Sequence, residues 1–332
     1  MNLETGVKPE RNGFIRVIKK KWVSRMNRPE RYSLKEFKLD TPFFVMLIIP
    51  TLYFVLFRYW PIFGLSMGFQ DFKLGGSFFG SDIDWVGFKW FEYFFNSPFF
   101  WRVVRNTFLI SLYSLVFVFP LGIIVALVFN EIQNRRIKGF VQTVSYLPYF
   151  ISLTVVVGML TNFLSVNGGI VNQIINLLGF ESVDFMGSND WFRFIYIGSD
   201  AWQQVGFNSI VYIAAIAGIN PELYEAAYVD GSTRFKNIIL ITLPCILPTI
   251  IFMLILRMGN IMSVGYEKII LMYSGRTYEV ADVISTFAYR NGIVDGKFSY
   301  GAAIGLFNSI INLSFLLFTN KMTKKFSDTS LW

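Results

Sequence analysis

Few side chains in this 332-residue sequence could do chemistry, and their types exclude whole reaction classes. There is no His, which removes an imidazole general base, an imidazole metal ligand and any Ser-His-Asp triad. The single Cys245 excludes an intrachain disulfide, a thiolate metal cluster and CxxC redox chemistry. No GxxxxGK[ST] phosphate-binding loop occurs. What remains is polar and aromatic side chains set inside apolar runs. One group is Asp200-Ala201-Trp202-Gln203-Gln204-Val205-Gly206-Phe207-Asn208, where Gln203, Phe207 and Asn208 fall near one helical face with Gln204 beside them. A second holds Arg257, Gly259, Asn260, Ser263 and Gly265 and ends at Tyr266-Glu267-Lys268; a third holds Asn308, Ser309, Asn312 and Ser314. Amides beside aromatic faces suit the hydroxyls and C–H faces of sugars, so these clusters could line a carbohydrate path. They would serve equally as hydrogen-bonding glue between helices, at about 0.6–2 kcal/mol each. Arg257 is too costly to face hydrocarbon; it pairs within the bundle, reaches an interface, or meets an acidic sugar.

The elements that must carry these residues follow from composition. The chain is 54% hydrophobic and 16% charged, with 37 Phe, 16 Tyr and 8 Trp, and its mean hydropathy is +0.48. A soluble domain carries about 25% charged residues, so this is an integral membrane protein. Six windows have the length of a spanning helix: residues 43–63, 103–129, 142–164, 192–219, 238–264 and 300–319. Pro50, Pro120, Pro148, Pro244 and Pro248 lie within them and predict kinked, packed helices, since neighbours in a bundle satisfy freed backbone groups. The net charge of +8 reads as topology. Of 30 Lys and Arg, 11 lie before residue 41, 3 around Glu131–Gly139, 2 after Gly231 and 3 after Asn320, which places 19 on one side and both termini in the cytoplasm. The basic tail of residues 1–40 resembles neither a signal peptide nor a domain, and the first span reads as an uncleaved anchor. With Lys19, Lys20, Lys21, Arg25, Arg28 and Arg31 around Phe14 and Trp22, the tail is either a helix lying on anionic lipid or a solvated basic arm.

One inside segment, residues 220–236, is not explained by the bilayer. Asn220 is an N-cap, Pro221 fits the first helical position and Glu222 suits the positive helix end, which predicts a helix from Pro221 to about Val229. Gly231 supplies a turn, and Ser232 or Thr233 caps a second helix leading into the fifth span. Leu223, Ala226, Ala227 and Asp230 share one small, weakly apolar face. Glu225 would be held by Arg234 or by a partner's backbone. This is a short helical elbow able to pass a push into two spans.

Glu225-Ala226-Ala227, then three residues and Gly231, then Ile241-x-Leu243-Pro244, resembles the EAA signature of type I ABC importer permeases. The likeness extends over residues 100–320. Val280 to Thr286, Tyr289-Arg290 and Phe298 to Ala303 resemble the carbohydrate-uptake subgroup, especially permeases for oligosaccharides and polysaccharide fragments. The resemblance implies an all-α polytopic fold with six transmembrane helices in a bacterial cytoplasmic membrane. It implies a first span and external loop at 41–99, a permease core at 100–320 and a short cytoplasmic tail at 321–332. It further implies a coupling helix, with Glu225, Ala226, Ala227, Asp230, Gly231 and Arg234 engaging a separate ATPase subunit. ATP and Mg would be bound by that partner, so no cofactor and no catalytic residue are expected in this chain. The other partners implied are a second, different permease chain, a second ATPase subunit and an external binding protein; no nucleic acid is expected. In such permeases the spans flanking the coupling helix line the pathway, which favours Gln203, Gln204, Phe207, Asn260, Ser263 and Tyr266, with Asn208 on the same face as Gln203.

Two other classes make different demands. An ion-coupled carrier would put acidic residues in span centres and show inverted repeats; a membrane-embedded glycosyl transferase would cluster Asp and Glu at one interface. The spans hold almost no acidic residues and show no clear repeat, and the Asp and Glu residues are scattered rather than clustered. The external loops at 165–191 and 271–299 would receive the binding protein, with an interfacial helix at 170–178 and a helical stretch at 280–289. The aromatic residues from Trp85 to Trp101 read as an interface belt or, alternatively, a carbohydrate platform.

Overall fold

The structure, a computed structural model, describes residues 34–73, 75–76 and 83–326. The basic tail, read as either a lipid-bound helix or a solvated arm, lies almost wholly outside the described residues. The chain divides into two compact units, residues 1–62 and 63–332. The first holds α1 (Leu34–Phe54) and a wide π turn at Val55–Tyr59; a 3-10 stretch, Trp60–Phe69, spans the division. The second continues with α2 (Lys89–Phe95), α3 (Phe100–Tyr113), α4 (Phe119–Glu131), α5 (Arg135–Tyr146), α6 (Leu153–Phe163), α7 (Ile170–Leu177) and α8 (Asn189–Ala217). It ends with α9 (Glu222–Val229), α10 (Arg234–Asn237), α11 (Leu243–Met258), α12 (Tyr266–Met272), α13 (Tyr278–Ala281), α14 (Ile284–Tyr289) and α15 (Phe298–Phe326). Among the described residues, pairing of extended chain is confined to one bridge between Gln70 and Trp85.

Four helical stretches among the described residues are long and apolar enough to cross a membrane: Thr41–Phe69, Phe100–Glu131, Arg234–Met258 and Phe298–Lys325. The window at 142–164 is not one straight helix. Arg135–Phe150 and Leu153–Phe163 meet at 95°, and would make a fifth crossing if the bent pair is counted as one. Pro148 ends the first arm in a 3-10 turn, Ile151 and Ser152 are extended, and Ser152 caps α6 through the Val155 amide. The window at 192–219 falls on α8, whose 29 residues are long enough but whose hydropathy is diluted by Asp200, Gln203, Gln204 and Asn208.

Three wide π turns each end two residues before a proline: Val55–Tyr59 before Pro61, Ser114–Val118 before Pro120, and Ile238–Thr242 before Pro244. Proline lacks the N–H that would reach the carbonyl four residues back, and its ring collides with that carbonyl. A single wide turn removes the collision while the helix continues.

α8 packs against α4, α5, α11 and α13. Its closest approach is at Gly206, where an added Cβ would overlap the Ser145 carbonyl of α5. Around this frame lie three apolar clusters, one of them built on Phe94, Phe287, Tyr300 and Ile304. The aromatic stretch 85–101 is accordingly split. Phe91 and Phe94 are buried, whereas Trp85, Phe88, Tyr93 and Trp101 are exposed as a belt requires. At 170–177 a helix is present where one was expected: Asn172 is buried against its loop, and Ile170, Ile174 and Leu177 are exposed.

The Gly206 contact gives a direct test. Gly206→Ala should lower the stability of the detergent-purified protein by about 1–3 kcal/mol, read as a lower unfolding midpoint. Gly158→Ala, at a helical glycine with open space around it, should leave the midpoint unchanged or raise it.

Candidate functional site

The elbow is built from local hydrogen bonds. Asn220 accepts from the Glu222 amide at 3.1 Å and donates to the Glu222 carboxylate at 3.1 Å, so it caps α9, whose helix begins at Glu222 rather than Pro221. The far end closes through Gly231, at φ +72°: its amide donates to the Tyr228 carbonyl, and the Ser232 amide donates to Ala227 at 2.9 Å. This is a Schellman closure, with Gly231 at the one position that requires a left-handed residue. The spacing between Ala227 and Gly231 is therefore the spacing between the last free carbonyl and the turn that satisfies it. Of the two candidate caps, Thr233 holds α10, through the Lys236 amide.

Tyr224 then fastens α9 to the base of α11, its hydroxyl 2.9 Å from the Thr242 hydroxyl. Arg234 does not hold Glu225. It faces the side-chain amide of Gln133, whose oxygen accepts from both guanidinium nitrogens in the orientation that satisfies both groups. The two residues frame a cavity of ≈ 320 Å³ with Tyr224 and Thr242. Glu225, Ala226, Asp230 and Gly231 are exposed and Ala227 half-buried. Beside them Tyr228 is 81% exposed, Val229 84% and Phe235 70%, an apolar tip that nothing in this chain covers among the described residues.

The path candidates gather midway along α8. A cavity of ≈ 350 Å³ is lined by Gln203, Gln204, Asn260, Ser263 and Tyr266, together with Asp200, Arg257, Glu267 and Lys268. A second, of ≈ 230 Å³, shares Gln204, Arg257 and Asn260 with the first and adds Asn208. Phe207 lines neither. It lies flat on Tyr149 of the 3-10 turn, centroids 3.8 Å apart, and serves the helix break instead. Gln203 also serves the break, donating to the Ile151 carbonyl at 3.0 Å. Asn312 is glue as well: it donates to Ser263 at 2.8 Å and accepts from the Met262 amide at 2.8 Å, closing the chain where α11 has ended. Ser309 and Ser314 return to carbonyls of their own helix.

Residue types alone did not reveal the ion pair at the cavity wall. Lys268 lies 3.5 Å from Asp200, almost out of contact with solvent, and donates to the Tyr196 carbonyl at 3.1 Å. Gln204 donates to the same carboxylate. The available signal was a lone acid within the polar stretch of the fourth window and a lone base beyond the fifth. Arg257 forms no ion pair among the described residues and donates to Ser114 at the wide turn.

A second charged centre lies near the start of α8. Asp282 is fully buried and accepts from Arg290 at 2.8 Å, Arg102 at 3.2 Å and Thr286 at 2.8 Å. Burial alone would lower the Arg290 pKa, but the hydrogen bond and charge of Asp282 raise it. Asn106 bonds the Glu279 and Asp282 carbonyls and accepts from Arg193 of α8 at 2.8 Å. The stretch from Val280 to Arg290 is thus a structural clamp joining α3, α8 and α14.

An all-helical bundle with an exposed elbow and a polar cavity midway along its longest internal helix has the form of a membrane permease. The chain belongs to the binding-protein-dependent transport system inner membrane component family, whose model matches residues 118–328. It is 38% identical over 295 residues to protein LplB of Bacillus subtilis (strain 168), covering 89% of this chain and 92% of that one. It is 36% identical over 289 residues to the polygalacturonan/rhamnogalacturonan transport system permease protein YteP of the same organism, covering 87% and 89%. Among solved structures it resembles a chain of a bacterial ABC transporter involved in the import of the acidic polysaccharide alginate, with TM-score 0.80 and 43% identity over 88% of this chain and 98% of that one. The alginate transporter in complex with an alginate pentasaccharide-bound periplasmic protein matches with TM-score 0.81 and 42% identity, covering 91% and 100%.

Breaking the ion pair at the cavity wall should be more damaging than removing it. Lys268→Met alone is expected to destabilise by about 3–5 kcal/mol, because it strands the Asp200 carboxylate, and Lys268→Met with Asp200→Asn should recover most of that loss. Thermal unfolding of the purified variants checks the order.

Proposed function

We propose that this chain is one permease subunit of an ATP-driven importer, translocating an oligosaccharide handed over by an external binding protein. The carrying observation is the elbow. It is a rigidly closed helix with an uncovered apolar tip, bonded through Tyr224 and Thr242 to the root of α11. The 19 basic residues sorted above put the elbow and both termini in the cytoplasm, with six crossings formed by the four apolar stretches, the bent pair and α8. Glu225, Ala226, Ala227, Asp230, Gly231 and Arg234 form the surface that enters a cleft on one of two ATPase subunits. Those subunits bind ATP and Mg and do the hydrolysis; this chain contributes no catalytic side chain. The pore is completed by a second permease chain, and the polar cavity is its substrate path, lined by Gln204, Asn208, Asn260, Ser263 and Tyr266. Gln203 forms part of the same wall while holding the helix break. The likeness to an alginate importer crystallised with a loaded periplasmic protein, and to a polygalacturonan/rhamnogalacturonan transport system permease, supports both the sugar class and the delivery partner.

Gly231→Pro and Glu225→Lys separate the elbow from the rest. Both should insert in the membrane, yet lose ATPase association or ATP-dependent uptake, measured by co-purification and by transport into vesicles. Normal ATP-driven uptake by both variants would count against the elbow's role, and uptake driven by an ion gradient without ATP would overturn the importer reading.

A further inference from the structure

Four charged groups line the polar cavities near α8 and belong neither to the elbow nor to the Asp282 clamp: Asp200, Lys268, Glu267 and Arg257. Asp200 and Lys268 neutralise each other. Arg257 is left uncompensated: its side-chain hydrogen bond goes to the neutral Ser114 hydroxyl, and no carboxylate pairs with it among the described residues. A guanidinium has five N–H donors; Arg257 lines both cavities and is exposed within this chain, so donors beyond the one on Ser114 are open to a ligand. An ionised side chain in the apolar part of a membrane protein is expensive and marks a site whose partner is to be named.

The geometry narrows the partner. Arg257 is shared by both cavities, and Glu267 lines only the larger; the smaller one contains the guanidinium, the amides of Gln204, Asn208 and Asn260, and no carboxylate. Phe119 and Tyr212 supply flat apolar faces in that same cavity. A planar cation with amides and aromatic faces matches a pyranose bearing a carboxylate, because the fork of the guanidinium donates to two oxygens at once. A neutral sugar would leave the charge uncompensated. We propose that Arg257 is a carboxylate-binding residue of the translocation path and that the oligosaccharide carried is a uronate. This rests on the permease reading above, and the likeness to a transporter of an acidic polysaccharide agrees with it.

The test uses the whole importer in lipid nanodiscs, without its binding protein. The probes are short mannuronate oligomers and the same chains with their carboxyl groups reduced to hydroxymethyl. Wild type should bind the uronate about tenfold or more tightly than the neutral chain, the range of one charge-assisted hydrogen bond, and Arg257→Gln should remove that preference. Arg257→Lys keeps the charge but loses the paired donors, so it should retain a smaller preference even if Arg257→Gln folds poorly. Equal affinities in wild type, or a full preference in either variant, would overturn the proposal. So would loss of the second permease subunit from Arg257→Gln, which would assign the guanidinium to a protein carboxylate. Stimulation of the wild-type ATPase by a loaded binding protein, read in parallel, reports on the permease reading alone.

Discussion

Inside an apolar bundle no water is available to a backbone group that loses its helical partner, and most of this structure answers that constraint. Prolines at 61, 120 and 244 each remove a donor, and each is preceded by one wide turn that lets the helix continue. Where a wide turn does not suffice, a side chain closes the gap. Gln203 reaches the Ile151 carbonyl at the 95° bend, and Asn312 holds the Met262 amide where α11 has stopped. These amides were equal candidates for pathway and glue. Asn312 spends both its oxygen and its nitrogen on the chain, whereas Gln203 gives one N–H to Ile151 and still lines the cavity.

The charges divide by the same reasoning. A buried ion is tolerated when its neighbours satisfy it. Asp282 receives two guanidinium groups and a hydroxyl, and Asp200 receives an ammonium and an amide. α8 threads both centres: Arg193 near its start is tied through Asn106 to the Asp282 clamp, and Asp200 lies two turns further on. Arg257 differs from both: it is exposed within this chain, toward the cavities it lines, and its protein partner is the neutral Ser114 hydroxyl. An exposed cation on a polar cavity wall, with no carboxylate paired to it among the described residues, is what distinguishes this position from the two closed centres.

How much of this could be read from the sequence depended on the distance between partners. The elbow was legible nearly residue by residue, because caps and Schellman closures join residues at most five apart; only the first helical position moved, from Pro221 to Glu222. The apolar windows were legible as lengths, since hydropathy is a local sum. The sharp bend at Pro148 was not, because proline predicts a kink without its angle. Neither the Asp282 clamp nor the Lys268–Asp200 pair was legible, since their partners lie 180 and 68 positions apart along the chain. Glu225 with Arg234 shows the opposite error: complementary charges close in sequence suggested a pair, but Arg234 is turned toward Gln133 across a helix connection.

The elbow and the cavity are mechanically one object. From the elbow, α8 runs back to Gln204 and α11 runs forward to Arg257, each about 20 Å of helix at 1.5 Å per residue. Both arms therefore end at the same cavity, with Gln204 on one wall and Arg257 and Asn260 on the other. At the elbow they are joined through Tyr224 and Thr242 and by the closure at Gly231, so a push on α9 reaches both roots at once. The far end of α8 is anchored by Arg193 to the Asp282 clamp. The far end of α11 is held by Arg257 on Ser114 and, just past the helix, by Asn312 on Met262 and Ser263. A displacement at the elbow would thus be passed to both walls of the cavity. It would change the width of the cavity without any side chain having to react, which suits a chain that contains no histidine and a single cysteine.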